Sequence, residues 1–189
     1  DHIIGDVWAG SESDVIPAGK AAVGYQALAP YPGGSDFEIH RRIKAAILDK
    51  GKSDLRDPKF FGAVNYNIGL VNGALAVEAL RTGYARFGAR PLNGEEGRWA
   101  FEHLTIDPAR LKEIGFDGLL QPISITPTDH EGGGAARIQQ WDGAKWVLQT
   151  DWIKADTDLV KALVAEKSAA YAKEHKITPR NPAAETDPS

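Results

Sequence analysis

The chain contains no cysteine. This absence excludes disulfide bonds, thiol nucleophiles and thiolate metal sites, and it is compatible with an oxidising compartment. The chain also contains no methionine, so Asp1 is not a translational start. We therefore expect the sequence to have been processed, truncated or cut from a longer protein, and such a chain is not expected to show a signal peptide of its own.

Long apolar runs and an excess of basic residues are also missing. No stretch approaches the roughly 20 apolar residues that a membrane-spanning helix needs. The formal net charge is -4 and the lysines and arginines are scattered, so we do not expect nucleic acid as a partner. With 42% hydrophobic and 25% charged residues, the 189-residue chain has the composition of a globular protein. Its length suits one sizeable domain or two small lobes.

Periodicity and punctuation predict a mixed α/β plan. Helical patterns occupy 13–24, 35–51, 65–88, 93–104, 107–115 and 156–176. Strand or extended patterns occupy 2–8, 25–34, 120–128, 136–141 and 145–150. The helix 65–88 is the most apolar and is expected to be largely buried. The proline-rich end, 177–189, is expected to be a frayed tail.

Capping signals mark where four of the helices begin. Ser13 or Asp14 would cap the first helix, and Ser35 with Glu38 forms the pattern of a capping box. Further along the chain the same kind of signal recurs in the pair Asn93 and Glu96 and in Asp107 followed by Pro108.

The segment "DHEGGG" (129–134) raises the question of a metal or phosphate site. Asp129, His130 and Glu131 are consecutive, so on extended chain their side chains point to alternating sides and do not converge on an ion. The glycines precede a strand, whereas phosphate loops lead from a strand into a helix. The segment is better explained as a flexible entry to a β-hairpin that turns at Asp142-Gly143.

No catalytic signature is apparent, and we predict no catalytic residue, metal or cofactor. The five histidines lie on different elements, and there is no nucleophile elbow. Paired acids such as Glu95 and Glu96 sit at helix starts, where the helix dipole favours them. An α/β hydrolase using His130 and Asp129 is the enzymatic alternative.

Two clusters combine an aromatic side chain with small or polar neighbours. "GDVWAGSES" (5–13) places Trp8 at the end of a strand, and "NYN" (65–67) places Tyr66 at the start of a helix. Strand ends and helix N-termini are where α/β folds hold ligands. A flat aromatic face beside amide groups suits a small organic acid or an amino acid. The alternative is that both rings are ordinary core or rim aromatics.

Four segments together resemble a known family. They are "AGKAAVGYQAL", "DFEIHRRIKAAILDKGK", "NYNIGLVNGALAVEALRTG" and "ARIQQWDGAKWV". Their order and spacing resemble the C-terminal half of type I periplasmic solute-binding proteins of ABC importers. The branch is the leucine/isoleucine/valine-binding-like group, which includes receptors for aromatic carboxylates.

The resemblance implies two Rossmann-like lobes of three αβα layers, joined by hinge crossings and closing over a ligand. The expected division is 1–24, second-lobe strand and helix; 25–34, hinge crossing; 35–119, first-lobe helices; 120–176, return crossing, closing hairpin and C-terminal helix of the second lobe; 177–189, tail.

The resemblance also implies where the ligand binds. In members of the family, the residues that contact the ligand lie after the strand that matches 2–8 and at the start of the helix that matches 66–80. These are the two clusters already described. The implied ligand-binding residues are Trp8, Tyr66, Asn67, Asn65, Ser11 and Asp6. Amino-acid binders of the family hold the ligand ammonium with an acid near the first cluster. Neither Asp6 nor Glu12 matches it cleanly, which favours an aromatic or hydrophobic carboxylate over a branched-chain amino acid.

The implied function is that of a periplasmic receptor that binds a small molecule and delivers it to the permease subunits of an ABC transporter. The missing N-terminal half of the same protein, or a second copy, would complete the fold. The alternative within the same fold is a ligand-sensing domain of a cytoplasmic regulator or of a receptor ectodomain.

Overall fold

The computed structural model describes residues 4–188, so part of the predicted strand 2–8 lies outside the described residues. The strands are β1 (Ile4–Gly5), β2 (Gln26–Ala29), β3 (Thr105–Ile106), β4 (Ile123–Ser124), β5 (Ala135–Trp141), β6 (Trp146–Leu148) and β7 (Ile153–Lys154). The α-helices are α1 (Glu12–Val15), α2 (Glu38–Ala46), α3 (Val64–Phe87), α4 (Gly94–Glu102), α5 (Pro108–Ile114) and α6 (Thr157–Glu174). The predicted mixed α/β plan is confirmed.

The strands form two sheets. In the larger one β1 runs parallel to β2, and β5 pairs antiparallel with β2, β6 and β7. The smaller sheet pairs β3 with β4. The predicted hairpin joins β5 to β6, where Asp142 Oδ1 accepts the backbone N–H groups of Ala144 and Lys145, both at 2.8 Å. Gly143 supplies the positive φ of 105° that the turn requires.

Two hydrophobic clusters divide the packing. One gathers buried residues of α3, β3 and α5 with the chain that follows α5, from Val71 to Leu120. The other lies on the larger sheet and contains Trp141 and Trp146 together with Val64 from the start of α3. We call residues 35–125 the helix module, and residues 4–29 with 135–174 the sheet module. The chain passes between them through 30–34 and 126–134.

Of the stretch predicted as extended at 120–128, residues 120–125 stay with the helix module. Ile123–Ser124 pairs with β3, and the Ile125 N–H donates to the Leu104 carbonyl at 2.9 Å. The larger sheet is therefore reached only at Ala135.

Two helices expose apolar faces among the described residues. The expectation that the helix 65–88 is largely buried was wrong, because Val77 is 50% and Leu80 45% exposed. None of the 18 residues of α6 is buried, and Tyr171 is 58% exposed. In proteins most of the stability of a helix comes from packing of its apolar face, so these faces are suited to packing against further protein.

The cap predictions hold for two helices. Asn93 and Glu96 form the predicted capping box of α4, and Asp107 accepts the Arg110 N–H at the start of α5. In the first helix the prediction was wrong: α1 has four residues and begins after Ser11, and a separate 3₁₀ turn covers Gly19–Ala22.

The predicted capping box of the second helix was also wrong. α2 begins at Glu38, and Ser35 lies outside it. The Ile39 N–H donates to the Gly115 carbonyl at 2.9 Å, so a distant backbone group replaces the local cap. Gly34 is bonded to the Gly62 carbonyl at 2.7 Å, which holds the chain beside Ser35 in a non-helical path.

The C-terminal segment is not a frayed tail over its described part. Arg180 forms a two-pronged ion pair with Glu102 of α4, and a 3₁₀ turn covers Pro182–Ala184. A sequence-local argument missed this contact because its partner lies 78 residues away. Within residues 4–188, no helix has both the length and the hydropathy to cross a membrane.

Candidate functional site

The loop after β1 presents Trp8 to solvent. Asp6 Oδ1 accepts the Trp8 N–H at 2.9 Å, which closes a tight turn. The Tyr25 hydroxyl donates to the Ala9 carbonyl at 3.0 Å and joins the turn to the start of β2. The Trp8 side chain itself is 83% exposed. The backbone of the loop is therefore fixed while its indole is uncovered.

The loop continues into a short polar link to α3. The Ser11 hydroxyl donates to Asp14 Oδ2 at 2.7 Å, so Ser11 is buried as the cap of α1. Glu12 Oε2 accepts the Val64 N–H at 2.9 Å. A carboxylate from the sheet module thereby supplies the cap that α3 lacks at Ala63.

The environment of Glu12 shifts its titration. Burial, the largest influence, raises the pKa of the Glu12 carboxyl, and the hydrogen bond from Val64 opposes that rise. Because its carboxylate already caps α3, Glu12 is committed to joining the modules.

Tyr66 lies in the first turn of α3, at the edge of an aromatic group. Its ring centroid is 5.3 Å from that of Phe61 in an edge-to-face arrangement and 6.1 Å from that of His40. The ring is half-buried, and burial raises the pKa of the Tyr66 hydroxyl. Asn65, its neighbour, is exposed.

Asn67 is fully buried and holds the first crossing in place. Its Nδ2 donates to the carbonyls of Pro32 at 2.8 Å and Gly34 at 3.0 Å, and approaches that of Gly62 at 3.3 Å. Its Oδ1 is 2.7 Å from His40 Nε2. Both polar ends of the amide are therefore bonded within the chain, so Asn67 positions the turn beneath Tyr66.

The predicted site residues therefore occupy two neighbouring elements with different roles. The Glu12–Val64 bond brings the loop of Trp8 to the start of α3. Trp8 forms no aromatic pair with any described residue, so the two rings are not stacked on each other. Trp8, Tyr66 and Asn65 retain accessible surface, whereas Ser11 and Asn67 are buried in local hydrogen bonds.

An apolar cavity of about 510 Å³ lies where both crossings meet, beside Val7 of the loop after β1. Six of the residues that line it are Val7, Leu28, Tyr31, Ile123, Ala135 and Ile153. Sequence reasoning missed it, because its walls come from five separate stretches of chain. Its size is within the range of small-molecule sites.

The acidic and imidazole groups of the "DHEGGG" segment point to different partners. Asp129 Oδ2 pairs with Lys161 at 2.7 Å, while His130 Nε2 contacts Glu102 at 3.2 Å. The hydrogen bonds of the described residues do not include a contact between Asp129 and His130. No three His, Asp or Glu side chains within 4–188 are grouped as metal ligands would be.

His40 was not singled out by its sequence context. It is buried, and burial lowers its pKa, opposed by the hydrogen bond to Asn67 and the charge of Asp36. Because Asn67 Nδ2 donates to carbonyls, its Oδ1 accepts, so His40 Nε2 carries the proton of the neutral ring. Nδ1 has no hydrogen-bond partner among residues 4–188.

His40 predicts acid sensitivity. Its folded-state pKa lies below the ordinary value of 6.5, so below that pH the unfolded chain binds more protons and the free energy of unfolding falls. This one site contributes up to about 1.4 kcal/mol per pH unit. Urea unfolding from pH 7.5 to 5 should show a weaker pH dependence in His40→Gln than in the wild type. The exposed His103→Gln variant should keep the wild-type slope, and equal slopes in all three proteins would contradict the assignment.

Two solved structures are similar to the chain. No family model and no curated protein matches the chain. A crystal structure described as an ABC transporter permease from the Pseudomonas fluorescens group is 63% identical, with a TM-score of 0.92 over 96% of this chain and 44% of that one. A branched-chain amino acid ABC transporter from Thermus thermophilus, with bound valine, is 23% identical, with a TM-score of 0.63 over 82% of this chain and 40% of that one.

The chain has the architecture of part of the type I periplasmic binding protein fold, as predicted. It spans less than half the length of either solved structure that it matches. Both of those proteins are described as components of ABC transporters.

Proposed function

We propose that the chain is part of a solute-binding receptor of an ABC importer and that it binds a small organic acid against Trp8 and Tyr66. The observation that carries the proposal is the exposure of Trp8, 83%, on a loop whose backbone is pinned at both ends. An uncovered indole on a fixed loop is suited to pack against a flat or branched apolar ligand. The two solved structures, described as ABC transporter components, support the same class of function.

The ligand in this proposal is an aromatic or hydrophobic carboxylate, with a branched-chain amino acid as the alternative. The loop after β1 offers the indole face of Trp8 and the start of α3 offers the phenol face of Tyr66, while Glu12, an acid suited to an ammonium group, is bonded to Val64. The Thermus protein is described with bound valine, which keeps the amino acid in consideration.

Further protein completes the site in this proposal. The exposed apolar faces of α3 and α6 would pack against the remainder of the receptor or a second copy. The two modules would then be parts of two lobes, with 30–34 and 126–134 as hinge crossings. Such a receptor would work in the periplasm and deliver its ligand to permease subunits.

Isothermal titration calorimetry tests the proposal. The protein is titrated with valine and with benzoate, which represent the two ligand classes. Binding of one of them without chemical change is expected. Trp8→Ala and Tyr66→Ala should each weaken the affinity about tenfold or more, because each removes a large apolar contact.

Tyr171→Ala is the matched control, since Tyr171 is an exposed tyrosine on α6, remote in sequence from both clusters. Its affinity should equal that of the wild type. Binding that Trp8→Ala and Tyr66→Ala leave unchanged would refute the proposed site, and conversion of either compound would refute the proposed class.

A further inference from the structure

The C-terminal segment returns from one module to the other. α6 follows β7 directly, so it starts on the sheet module. The residues after it, 177–188, then reach α4 of the helix module, where Arg180 meets Glu102. We call residues 177–188 the C-terminal clasp.

The clasp is anchored on a buried carboxylate. Glu102 is 5% exposed, and both of its oxygens accept from Arg180, with Nη2–Oε2 at 2.8 Å. The Arg180 guanidinium lowers the pKa of Glu102, so the acid is ionised at neutral pH. Charge-assisted, two-pronged bonds of this kind are directional, and burial reduces their screening by salt.

A second set of ion pairs extends the anchor along the clasp. Glu185 Oε2 accepts from Arg180 Nη2 at 2.8 Å and lies 3.1 Å from Arg98 Nη1 on α4. Further along, Asp187 is 4.0 Å from Arg86 of α3. The clasp thus contacts two helices of the helix module.

The same carboxylate also holds the crossing loop 126–134. His130 Nε2 lies 3.2 Å from Glu102 Oε1, and the preceding residue, Asp129, pairs with Lys161 of α6 at 2.7 Å. The first two residues of the "DHEGGG" segment therefore connect α6, through Asp129, with α4, through His130. Its glycines include Gly132 and Gly134, with φ of 69° and 147°, conformations that favour glycine.

We infer that the clasp, together with the contacts that Asp129 and His130 make with Lys161 and Glu102, forms a non-covalent tie between the modules that restrains their movement about the crossings. Hinges are a few loop residues that absorb large changes of φ and ψ, and 126–134 is such a segment in the proposed two-lobe arrangement, on which this inference rests. A tie that spans the same two modules in parallel with the hinge limits how far it opens. Glu102 is the shared element, so its loss weakens the attachment of the clasp and of the loop together, while the Glu185–Arg98 pair remains. The inference does not depend on the proposed ligand.

Spin-label distances test this inference, and the absence of native cysteine makes labelling specific. Labels are placed through Glu95→Cys on α4 and Glu166→Cys on α6, both exposed positions. Pulsed dipolar spectroscopy then measures the spread of distances between the modules. Glu102→Gln should broaden that spread roughly twofold, because the modules lose the tie.

Two further variants separate the tie from general instability. Glu185→Gln removes a more exposed partner of Arg180. It should broaden the distribution of inter-label distances, but less than Glu102→Gln does. Glu113→Gln removes an exposed partner of Arg110 on α5 and should leave the distribution unchanged. A spread in Glu102→Gln and Glu185→Gln equal to that of the wild type would overturn the inference, as would equal broadening in Glu113→Gln.

Discussion

Asn67→Ala is expected to lower the free energy of unfolding by about 3 kcal/mol, because it leaves several buried polar groups without partners. The amide of Asn67 serves the carbonyls of Pro32 and Gly34, which belong to the crossing, and the ring of His40. Each lost bond inside the protein adds the cost of an unsatisfied group. Chemical denaturation followed by circular dichroism measures the change.

The same helix turn provides the control for this prediction. Asn65 is also an asparagine in the first turn of α3, but its side chain is exposed. Asn65→Ala should therefore change stability by no more than about 0.5 kcal/mol. Asn67→Asp keeps an acceptor for His40 but loses the Nδ2 donor, so it should fall close to Asn67→Ala. Similar stability of Asn67→Ala and Asn65→Ala would contradict the role assigned to Asn67.

Arg110→Ala is expected to lower the free energy of unfolding by about 2–3 kcal/mol, because it removes the main partner of a buried carboxylate. Arg110 bonds both oxygens of Glu78, from Nε and Nη2, each at 2.7 Å, and thereby joins α5 to α3. Glu78 is only 9% exposed, and its other cation, Arg81, stands at 3.4 Å. Thermal and urea unfolding of the variant measure the loss.

The exposed end of the same network serves as the comparison. Glu113 pairs with Arg110 Nη1 at 2.7 Å, yet its side chain is 70% exposed. Solvent-exposed pairs contribute little, so Glu113→Gln should change the unfolding midpoint only slightly. If Arg110→Ala lowered the stability to unfolding as little as Glu113→Gln does, the Arg110–Glu78 pair would not hold Glu78 in place.

Where capping and periodicity are local, the sequence predicted the structure. Asn93 with Glu96, Asp107 with Pro108, and the Asp142-Gly143 turn lie within a few residues of the backbone groups that they serve. Their geometry follows from the peptide chain itself, so no tertiary information was needed.

Where a distant group intervenes, local patterns failed. The Gly115 carbonyl replaced Ser35 at the start of α2, and Glu12 rather than a neighbouring side chain capped α3. The ordered clasp depends on Glu102 in the same way. Residue type alone does not specify these partners.

The candidate site shows the same division. The two aromatic positions, Trp8 and Tyr66, were chosen from strand-end and helix-start patterns, and both retain accessible surface. Asn67 is buried, with its Nδ2 within hydrogen-bond distance of three backbone carbonyls, whereas Asn65 is exposed. The sequence alone could not distinguish these two asparagines. Amide side chains serve ligands and backbone carbonyls with the same chemistry.

Acrylamide quenching of Trp8 fluorescence tests the central claim most directly. Subtracting the emission of Trp8→Phe from that of the wild type isolates this indole from the other four tryptophans. Without ligand the difference signal should be strongly quenched. At saturation with whichever of valine or benzoate binds, it should become shielded as the ligand covers the ring. Equal quenching of Trp8 with and without bound ligand would contradict the account.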